Sequence, residues 1–298
     1  MRYFYISPLR YPGGKAALAD FFAEIISSQG TRITTFVEPF AGGAGAALRL
    51  LYTGRIKQLL LNDANPGIAA FWRSVFWHTD ELNERLRSCE LSIDAWHHYR
   101  AVYDDPLSSE IELAFATLYL NRTNRSGILG ARPIGGLRQD GKWKIDARFN
   151  RQDLIDRITI LGQYRDRVQV SQSDALEFLE STPTRSSFFY VDPPYLGQGD
   201  ELYLNTLQWA DHLRLANILH RRHRRWVVTY DADPRIPSIL YPGLRCAEFS
   251  IKHTAARQQI GSEYAVFSDK LTVDSIKLLS RGYSAWLSDR ADRDAAVS

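Results

Sequence analysis

Cysteine is scarce in this 298-residue sequence, which has only Cys89 and Cys246. They lie far apart and form neither a CxxC pair nor a Cys/His metal-ligand spacing, which argues against a disulfide framework and against a zinc site. Long hydrophobic runs are also lacking, since no apolar stretch approaches the roughly 20 residues of a membrane span. The first residues, MRYFYISPLRYPGGK, contain no long apolar core followed by a small-residue cleavage site. We therefore expect a soluble protein located in the cytoplasm.

A strong net charge of either sign is absent as well. Lysine and arginine number 37 against 34 aspartates and glutamates, a net charge of +3, which says little about partners. The distribution of charge says more, because positive charge is concentrated in a glycine-rich segment over residues 122–151. Such a local excess indicates a polyanionic partner. The basic residues of the segment are Arg122, Arg125, Arg132, Arg138, Lys142, Lys144, Arg148 and Arg151, against only Asp140 and Asp146.

Short runs of β-branched and aromatic residues recur along the chain, with helical patterns between them. This alternation is typical of an α/β fold with a mostly parallel sheet. About 100 residues separate the second run from the third, far more than an ordinary connection, so we expect an inserted second domain there. The insert begins as helices and ends as loop and hairpin, with Asp140 and Gly141 as a turn signal. The predicted strands are residues 34–38, 57–62, 167–171, 187–191, 225–230, 246–251 and 263–268.

A glycine loop follows the first predicted strand. FVEPFAGGAGAALRLL places Gly42, Gly43 and Gly45 between that strand and a helix, where the backbone turns sharply or approaches a ligand. The loop lacks the GxGxxG fingerprint and a Walker lysine, which disfavours NAD and nucleoside triphosphates. Asp63 ends the second strand, where such folds place an acid against ribose hydroxyls, and Glu38 lies beneath the loop. Two acids suit S-adenosylmethionine, which carries a sulfonium and an ammonium. The alternative is a tight strand-to-helix turn with Asp63 as a helix cap.

The segment RYPGGK precedes the first helical pattern and ends in Lys15. One interpretation is an N-terminal turn with a solvated lysine. The other is a lid over the same cofactor, in which Lys15 reaches the carboxylate of the methionine part.

The stretch SSFFYVDPPYLG turns a strand-like run into an acid, two prolines and a tyrosine. Asp192 falls at the C-terminal end of that strand, the edge at which open α/β sheets bind ligands. Pro193 and Pro194 remove two backbone donors, which leaves a notch rich in hydrogen-bond acceptors. Tyr195 offers a flat face on which a nucleobase can stack, a contact of about 1–3 kcal/mol.

Acceptors beside a stacking face fit an aromatic amine. Hydrogen bonds from the exocyclic amine of adenine to Asp192 and to the Pro193 carbonyl favour the pyramidal nitrogen of the transition state. The nitrogen can then attack a sulfonium methyl without a strong base, provided that the base is flipped out of the duplex. The exocyclic amine of cytosine suits the same notch. A strand terminator followed by a surface turn is the alternative without function.

Taken together, these motifs resemble the Dam-like, D12-class DNA N6-adenine methyltransferases, of the α group of amino-methyltransferases. RYPGGK, FVEPFAGGAGA and LLLNDAN are similar to the family's cofactor motifs, and DPPY is similar to its catalytic motif. LYLNRTNRSGIL resembles the start of target recognition, and QSDALEFL resembles the place where an acid approaches the cofactor adenine. The resemblance covers roughly residues 9–271.

The resemblance implies a Rossmann-like S-adenosylmethionine-dependent methyltransferase sheet of seven strands, the last one antiparallel. It also implies a catalytic domain over residues 1–63 and 167–279 and an inserted, mainly helical target recognition domain over 64–166. The remaining 280–298 is predicted to be a polar tail.

Site residues follow from the same resemblance. The implied cofactor contacts are Tyr11, Lys15, Glu38, Phe40, Gly42, Gly45, Asp63 and Asp174. The implied catalytic notch is Asp192, Pro193, Pro194 and Tyr195. Arginine and asparagine are the side chains that pair bidentately with guanine and adenine, so the predicted DNA contacts are Asn121, Arg122, Asn124, Arg125 and Arg132.

We thus expect an adenine-specific DNA methyltransferase that uses S-adenosylmethionine and double-stranded DNA, with no metal. The single asymmetric insert favours a monomer, and a restriction endonuclease acting on the same site is a candidate partner. N4-cytosine methylation, RNA methylation and a catalytically silent, sequence-specific DNA-binding module stay open as alternatives.

Overall fold

The computed structural model describes residues 5–10, 15–30, 32–194, 196, 207–221, 225–253 and 259–288. Two predicted site residues, Tyr11 and Tyr195, lie outside these ranges. Within them, no helix combines the length and the apolar character needed to cross a membrane.

The strands are β1 (Thr35–Glu38), β2 (Gln58–Asn62), β3 (Val168–Ser171), β4 (Ser187–Val191), β5 (Arg225–Asp231), β6 (Arg245–His253), β7 (Gln259–Phe267) and β8 (Ser284–Ser288). They form one sheet in the order β3-β2-β1-β4-β5-β7-β6-β8. The first five strands are parallel, whereas β7 is antiparallel to both neighbours and β8 is antiparallel to β6. The strand order reverses between β1 and β4, and ligands of open α/β sheets bind at the carboxyl ends of the strands at such a point.

The α-helices of the described residues are α1 (Ala19–Ser28), α2 (Gly45–Tyr52), α3 (Pro66–Trp77), α4 (Thr79–Ser88), α5 (Ile93–Asp104), α6 (Glu110–Thr123), α7 (Arg151–Gly162), α8 (Ala175–Ser181) and α9 (Trp209–Arg221). A short 3-10 helix, Lys15–Leu18, precedes α1. Side-chain caps fix several helix starts: Asn65, Ser92 and Asn150 accept hydrogen bonds from first-turn N–H groups of α3, α5 and α7. These caps supply partners for backbone donors that would otherwise lack one.

Both faces of the sheet are covered, because successive residues of a strand point to opposite sides. On β4, Phe188 and Tyr190 join the larger hydrophobic core, whereas Phe189 and Val191 join a second core with residues of α8 and α9. All four side chains are buried. This explains the uninterrupted apolar run SFFYV, as expected for a strand of a parallel sheet covered on both faces.

Helices α3 to α7 fill the long connection between β2 and β3. They have no separate core, since Phe71 and Trp72 of α3 and Leu118 of α6 belong to the same hydrophobic cluster as Phe36 and Phe188 of the sheet. The Trp72 indole N–H also donates to the Gly42 carbonyl in the loop after β1, at 2.8 Å. The insert is therefore joined directly to the face of the sheet that carries the glycine loop.

The seven predicted strands are confirmed, but the sheet has an eighth strand that was not predicted. Strand β8 lies within residues 280–298, which were expected to form a polar tail. Trp286 anchors it: the ring packs edge-on against Phe267 at 5.4 Å between centroids, and the Arg245 guanidinium lies 4.2 Å from its centroid. The contact of the Trp286 ring with the core therefore holds this strand in a segment that is mostly polar.

The expected hairpin at Asp140 and Gly141 was also wrong, because residues 134–145 form a series of turns. The Gln139 side chain organises them. Its amide nitrogen donates to the carbonyls of Ile134 (2.8 Å) and Gly136 (2.6 Å), and its amide oxygen accepts from the Ile145 N–H (2.8 Å). These side-chain bonds supply the partners that a strand ladder would have supplied.

Candidate active site

The carboxyl edge of the parallel strands carries most of the predicted site residues. Glu38 ends β1, Asp63 follows β2 and Asp192 follows β4, so all three reach the same edge on the two sides of the switch point. The Lys15 ammonium also reaches this edge, 3.6 Å from Asp192 Oδ1. The structure thus brings together acids from three strands and a lysine from the chain's N-terminal part.

The glycine loop is tight because two of its residues need unusual backbone geometry. Gly42 has φ of 44° and Ala44 has φ of 47°, the left-handed region that glycine enters without strain. At Gly45, a Cβ atom would lie 3.1 Å from the Ala16 Cβ. Glycine there allows the 3-10 helix that begins at Lys15 to pack closely on the start of α2.

Asp63 ties this loop to the end of β2. Its Oδ2 accepts from the Gly42 N–H at 2.8 Å, and its Oδ1 accepts from the Asn65 N–H at 2.9 Å. Asn65, rather than Asp63, caps α3. Burial raises the pKa of Asp63 to about 6, and the two backbone hydrogen bonds act in the opposite direction. Each carboxylate oxygen keeps a second lone pair with which to accept from a ligand hydroxyl.

Asn62 joins three of the edge loops, although the sequence did not single it out. Its amide nitrogen donates to the carbonyls of Pro39 (3.0 Å) and Ser173 (3.1 Å), and its oxygen accepts from the Ser171 and Ser173 hydroxyls, both at 2.9 Å. The side chain is fully buried. The only signal in the sequence was an amide at the end of an apolar strand, LLLN.

Glu38 is a buried acid without a complete set of partners. The residue is 3% exposed, and its Oε2 has no hydrogen-bond partner among the described residues. Burial raises the pKa of Glu38 well above its usual range, the negative charge of Asp192 raises it further, and a hydrogen bond from the Ala47 N–H lowers it. A buried carboxyl in such surroundings favours its neutral form until a positive group comes close.

Asp192 is held by one of its two oxygens. The Thr229 hydroxyl of β5 donates to Asp192 Oδ1 at 2.6 Å, and the Tyr190 hydroxyl lies 3.0 Å from the Thr229 hydroxyl. Because Thr229 has a single hydroxyl hydrogen, the Tyr190 hydroxyl is the donor to Thr229. Burial raises the pKa of Asp192 to about 6, against the lowering effect of Lys15. The side chain is 24% exposed, so the carboxylate stays accessible to a ligand.

Lys15 has protein partners rather than a solvated ammonium. Its Nζ donates to both oxygens of Glu263 on β7, at 2.8 and 2.6 Å. Burial alone would lower the pKa of Lys15, but Asp192 and Glu263 together raise it. The expected contact of Lys15 with a cofactor carboxylate stays a prediction, while its observed contacts are with Glu263 and Asp192.

The other predicted site residues lie around this centre. Asp174 follows β3 and caps α8, its Oδ1 accepting from the N–H groups of Leu176 (2.9 Å) and Glu177 (3.1 Å). Phe40 is half-buried in the loop after β1 and packs against the second core. Pro193 is buried and Pro194 half-buried.

Two of the predicted DNA contacts, Asn121 and Asn124, are buried and engaged internally. Asn121 accepts from the Arg10 N–H (2.8 Å) and donates to the carbonyls of Arg10 (2.7 Å) and Gly127 (2.8 Å). Asn124 accepts from the Trp96 indole N–H (2.7 Å) and donates to the carbonyls of Ile128 and Leu129, both at 2.9 Å. With these bonds made, both amides shape the loop after α6 and have no group turned toward a base.

The predicted arginines divide in the same way. Arg122 is half-buried on α6, donates to the Pro8 carbonyl at 3.4 Å, and has its pKa lowered to about 9 by burial and by nearby Arg10 and Arg157. Arg125 and Arg132 are exposed. A hydrogen bond of 3.0 Å from the Arg125 N–H to the Arg132 carbonyl places them side by side.

Across the described ranges, no group of three or more His, Cys, Asp or Glu side chains has a geometry that could hold a metal ion. The site geometry is thus one of carboxylates, one ammonium and hydroxyls.

Comparison with known proteins gives a family and several relatives. A family model described as D12 class N6 adenine-specific DNA methyltransferase matches residues 11–257. The Type II methyltransferase M.MjaIII of Methanocaldococcus jannaschii is 25% identical over 201 residues, which cover 63% of this chain and 68% of that protein. The Type II methyltransferase M.CviBI of Paramecium bursaria Chlorella virus NC1A is 22% identical over 82% of this chain and 90% of its own length. The Modification methylase StsI of Streptococcus sanguinis is 26% identical over 64% of this chain, a match that spans 28% of that protein.

Proposed function

We propose, from the premise that this chain belongs to the D12 class N6 adenine-specific DNA methyltransferase family, that it methylates the N6 amine of adenine at a specific DNA site with S-adenosylmethionine as donor. Family membership makes the protein a DNA methyltransferase, with DNA and a methyl donor as its substrates. The observation that carries the finer assignment is the partly exposed carboxylate of Asp192, which follows β4 beside the buried, incompletely paired Glu38.

The residues of the site fit the proposed cofactor. Glu38 Oε2 is a buried acceptor that lacks a partner among the described residues, and a cationic group placed against it would satisfy both its hydrogen-bonding capacity and its charge. Asp63, Asp174 and the Gly42 turn lie along the same sheet edge, where an adenosine would lie in this type of fold. We therefore assign Glu38 to the methionine end of the cofactor and Asp63 and Asp174 to its nucleoside end.

When bound, S-adenosylmethionine supplies an electrophilic methyl group on a sulfonium sulfur. Asp192 accepts a hydrogen bond from the substrate amine, and the Pro193 carbonyl accepts another. These two bonds favour the pyramidal nitrogen, whose lone pair would then be available to attack the methyl group, with the sulfur as the leaving group. The methylated nitrogen then loses one of its hydrogens as a proton, which the Asp192 carboxylate accepts and releases to solvent.

The position of Asp192 also supports base flipping. Its carboxylate lies at the edge of the sheet between the loops after β1 and β5, with most of its side chain covered. A base stacked inside a duplex cannot reach such a position, so the target nucleotide must rotate out of the helix.

Arg125 and Arg132 are the DNA contacts that we retain from the predicted set, since they are exposed and adjacent. Arg122, Asn121 and Asn124 are reassigned as supports of the loop that carries them. Replacing Arg125 or Arg132 with alanine should weaken DNA binding by about 1–3 kcal/mol if the side chain contacts a base. If it contacts only a phosphate, the loss should be the same for all sequences and the salt dependence should fall by about one unit of slope.

Fluorescence anisotropy with labelled duplexes at several salt concentrations distinguishes these results. Arg55→Ala is the matched control, because Arg55 is an exposed arginine in the turn before β2, at the opposite edge of the sheet. Wild-type affinity in both loop variants would remove this loop from the DNA interface.

Asp63→Ala should weaken binding of S-adenosylmethionine by about tenfold or more, because it removes a ribose acceptor and the bond that fixes Gly42. Calorimetric titration of the cofactor gives the dissociation constant, and thermal unfolding of the free variant shows whether the loop is still folded. An unchanged dissociation constant would take Asp63 out of the cofactor site.

The proposed function is tested by digesting DNA after incubation with the protein and S-adenosylmethionine and measuring the nucleosides by mass spectrometry. N6-methyladenine is the expected product. N4-methylcytosine would move the substrate to the other exocyclic amine. No modified base in DNA would contradict the proposal and favour the RNA or binding-module alternatives. The names of the relatives as type II and modification enzymes support a restriction endonuclease as partner, and we propose a monomer as the acting form.

A further inference from the structure

A buried chain of polar groups leads to Asp192 from parts of the protein that are distant in sequence. The Glu263 carboxylate, fully buried on β7, holds the Lys15 ammonium at 2.6 and 2.8 Å, and Lys15 lies 3.6 Å from Asp192 Oδ1. The same oxygen accepts from the Thr229 hydroxyl at 2.6 Å.

The register of β7 against β5 places Glu263 at this edge. In the sheet register, Glu263 pairs with Asp231, the last residue of β5. Thr229, two residues earlier on β5, points to the same side of that strand as Asp231.

Among the described residues, Thr229 and Lys15 contact the Asp192 carboxylate, and both do so at Oδ1. No described residue donates a hydrogen bond to Oδ2. One oxygen of the carboxylate is therefore held from within the protein, and the other is left for a ligand.

We propose that Glu263 and Thr229 are positioning residues for methyl transfer: together with Lys15 they fix Asp192 Oδ1 from inside, so that Oδ2 faces the substrate amine. This inference rests on the proposed function, since it assigns how Asp192 is presented to that amine. Neither residue touches the substrate; both act through Asp192.

The difference between the two Lys15 distances explains why Glu263 is needed beside Asp192. Lys15 is about 1 Å closer to Glu263 than to Asp192, so its charge supports the ionised form of Asp192 without a direct, saturating ion pair. With Glu263 absent, the ammonium would move onto Asp192 and compete with the substrate amine for the carboxylate. With Lys15 absent, two buried carboxylates would face each other, and one of them would take up a proton.

Several charged or titratable groups surround Asp192. They are Lys15 beside α1, Glu263 on β7, Glu38 on β1, Tyr190 on β4 and Tyr230 on β5. Burial raises the pKa of Asp192 to about 6; Lys15 and the Thr229 hydroxyl lower it, and the charge of Glu263 raises it. Turnover of the wild-type protein at saturating cofactor should accordingly fall as the pH drops through about 6, where Asp192 becomes protonated.

The acidic limb of the pH profile is the pH range in which turnover falls as Asp192 becomes protonated. Two isosteric variants should shift this limb in opposite directions. Glu263→Gln removes a negative charge and leaves Lys15 to Asp192, so the limb should shift to lower pH by about one unit while the plateau value of kcat falls about tenfold. Thr229→Val removes a hydrogen bond that favours the carboxylate, so the limb should shift to higher pH. Thr229→Ser keeps the hydroxyl and should restore the wild-type limb.

A readout independent of activity separates this inference from the function on which it rests. The side-chain carboxyl resonance of Asp192 can be followed by carbon-13 NMR titration in the protein without DNA, and the Asp192→Asn spectrum identifies it. The expected result is a titration midpoint lowered in Glu263→Gln and raised in Thr229→Val, with KM for DNA little changed in both.

If both variants lose activity or stability but the midpoint and the limb stay at the wild-type pH, the residues have a structural role only and the inference is overturned. If the wild-type protein produces no methylated DNA, the proposed function fails, whereas the NMR titration still reports on the network.

Discussion

Turnover of DNA methylation is expected to fall by at least about 10²-fold when Asp192 is replaced by alanine, with the affinity for S-adenosylmethionine nearly unchanged. In the proposed mechanism, Asp192 Oδ2 accepts a hydrogen bond from the substrate amine, and this bond is strongest when the amine nitrogen becomes pyramidal. Removing an acceptor engaged mainly in the transition state lowers kcat and kcat/KM together. Single-turnover kinetics on a DNA duplex, with the cofactor dissociation constant from calorimetry, measure the two effects separately.

Asp192→Asn is the matched variant for this experiment. It preserves the size of the side chain and an oxygen for the Thr229 hydroxyl, but it removes the charge that attracts Lys15. It should therefore also be strongly impaired, which shows that the carboxylate and not its volume is required. Turnover close to wild type in the alanine variant would contradict the assigned role of Asp192.

Replacement of Glu38 by glutamine is expected to have the largest effect on cofactor binding, with the dissociation constant rising by about 10- to 100-fold. Glu38 is 3% exposed, and its Oε2 has no partner among the described residues. A cation that pairs with it gains a charge-assisted hydrogen bond in a site sheltered from water, a contact of about 1.5–3 kcal/mol. Glutamine preserves the shape of the side chain and removes that gain.

The raised pKa of Glu38 gives a second test of its pairing with the cofactor, namely the release of a proton on binding. Because burial favours the protonated carboxyl in the free protein, binding of a cationic cofactor should ionise Glu38 and release a proton. Calorimetry at several pH values above the usual pKa of a glutamic acid side chain, in buffers with different ionisation enthalpies, should detect this release with the wild type and a smaller one with the glutamine variant. S-adenosylhomocysteine, which lacks the sulfonium charge, shows whether Glu38 pairs with the sulfonium or with the ammonium. Equal proton release by the two proteins would argue against Glu38 as the partner of the cation.

The parts of this molecule that follow from local sequence were predictable. Strand β4 was recognisable because a strand covered on both faces is apolar throughout, and Asp192 was recognisable because it stops that strand with two prolines behind it. The glycine loop was visible for the same reason: the positive φ of Gly42 is a local requirement of the chain.

The network behind Asp192 could not be predicted, because it depends on register between distant segments. Glu263 reaches the edge through the register of β7 beside β5, and a single acid at the start of the run EYAVF gives no hint of a lysine 248 positions away. The predicted DNA contacts failed in part for a related reason. Residue type marked Asn121 and Asn124 as base readers, but burial and backbone partners decide whether an amide is available.

The shared core of insert and sheet limits how the target sequence of such an enzyme can change. Exchanging the whole of residues 64–166 with a relative would disrupt the packing of Phe71 and Leu118 and the hydrogen bond from Trp72 to Gly42. Under the proposed function, the new protein would lose cofactor affinity together with its old specificity. The loop between α6 and α7 contributes Ile145 and Phe149 to this core, whereas Arg125 and Arg132 of the same loop are exposed. If this loop contacts DNA as proposed, new specificities can arise, in evolution or in the laboratory, by changing its exposed residues while Ile145, Phe149 and the helices beneath are kept.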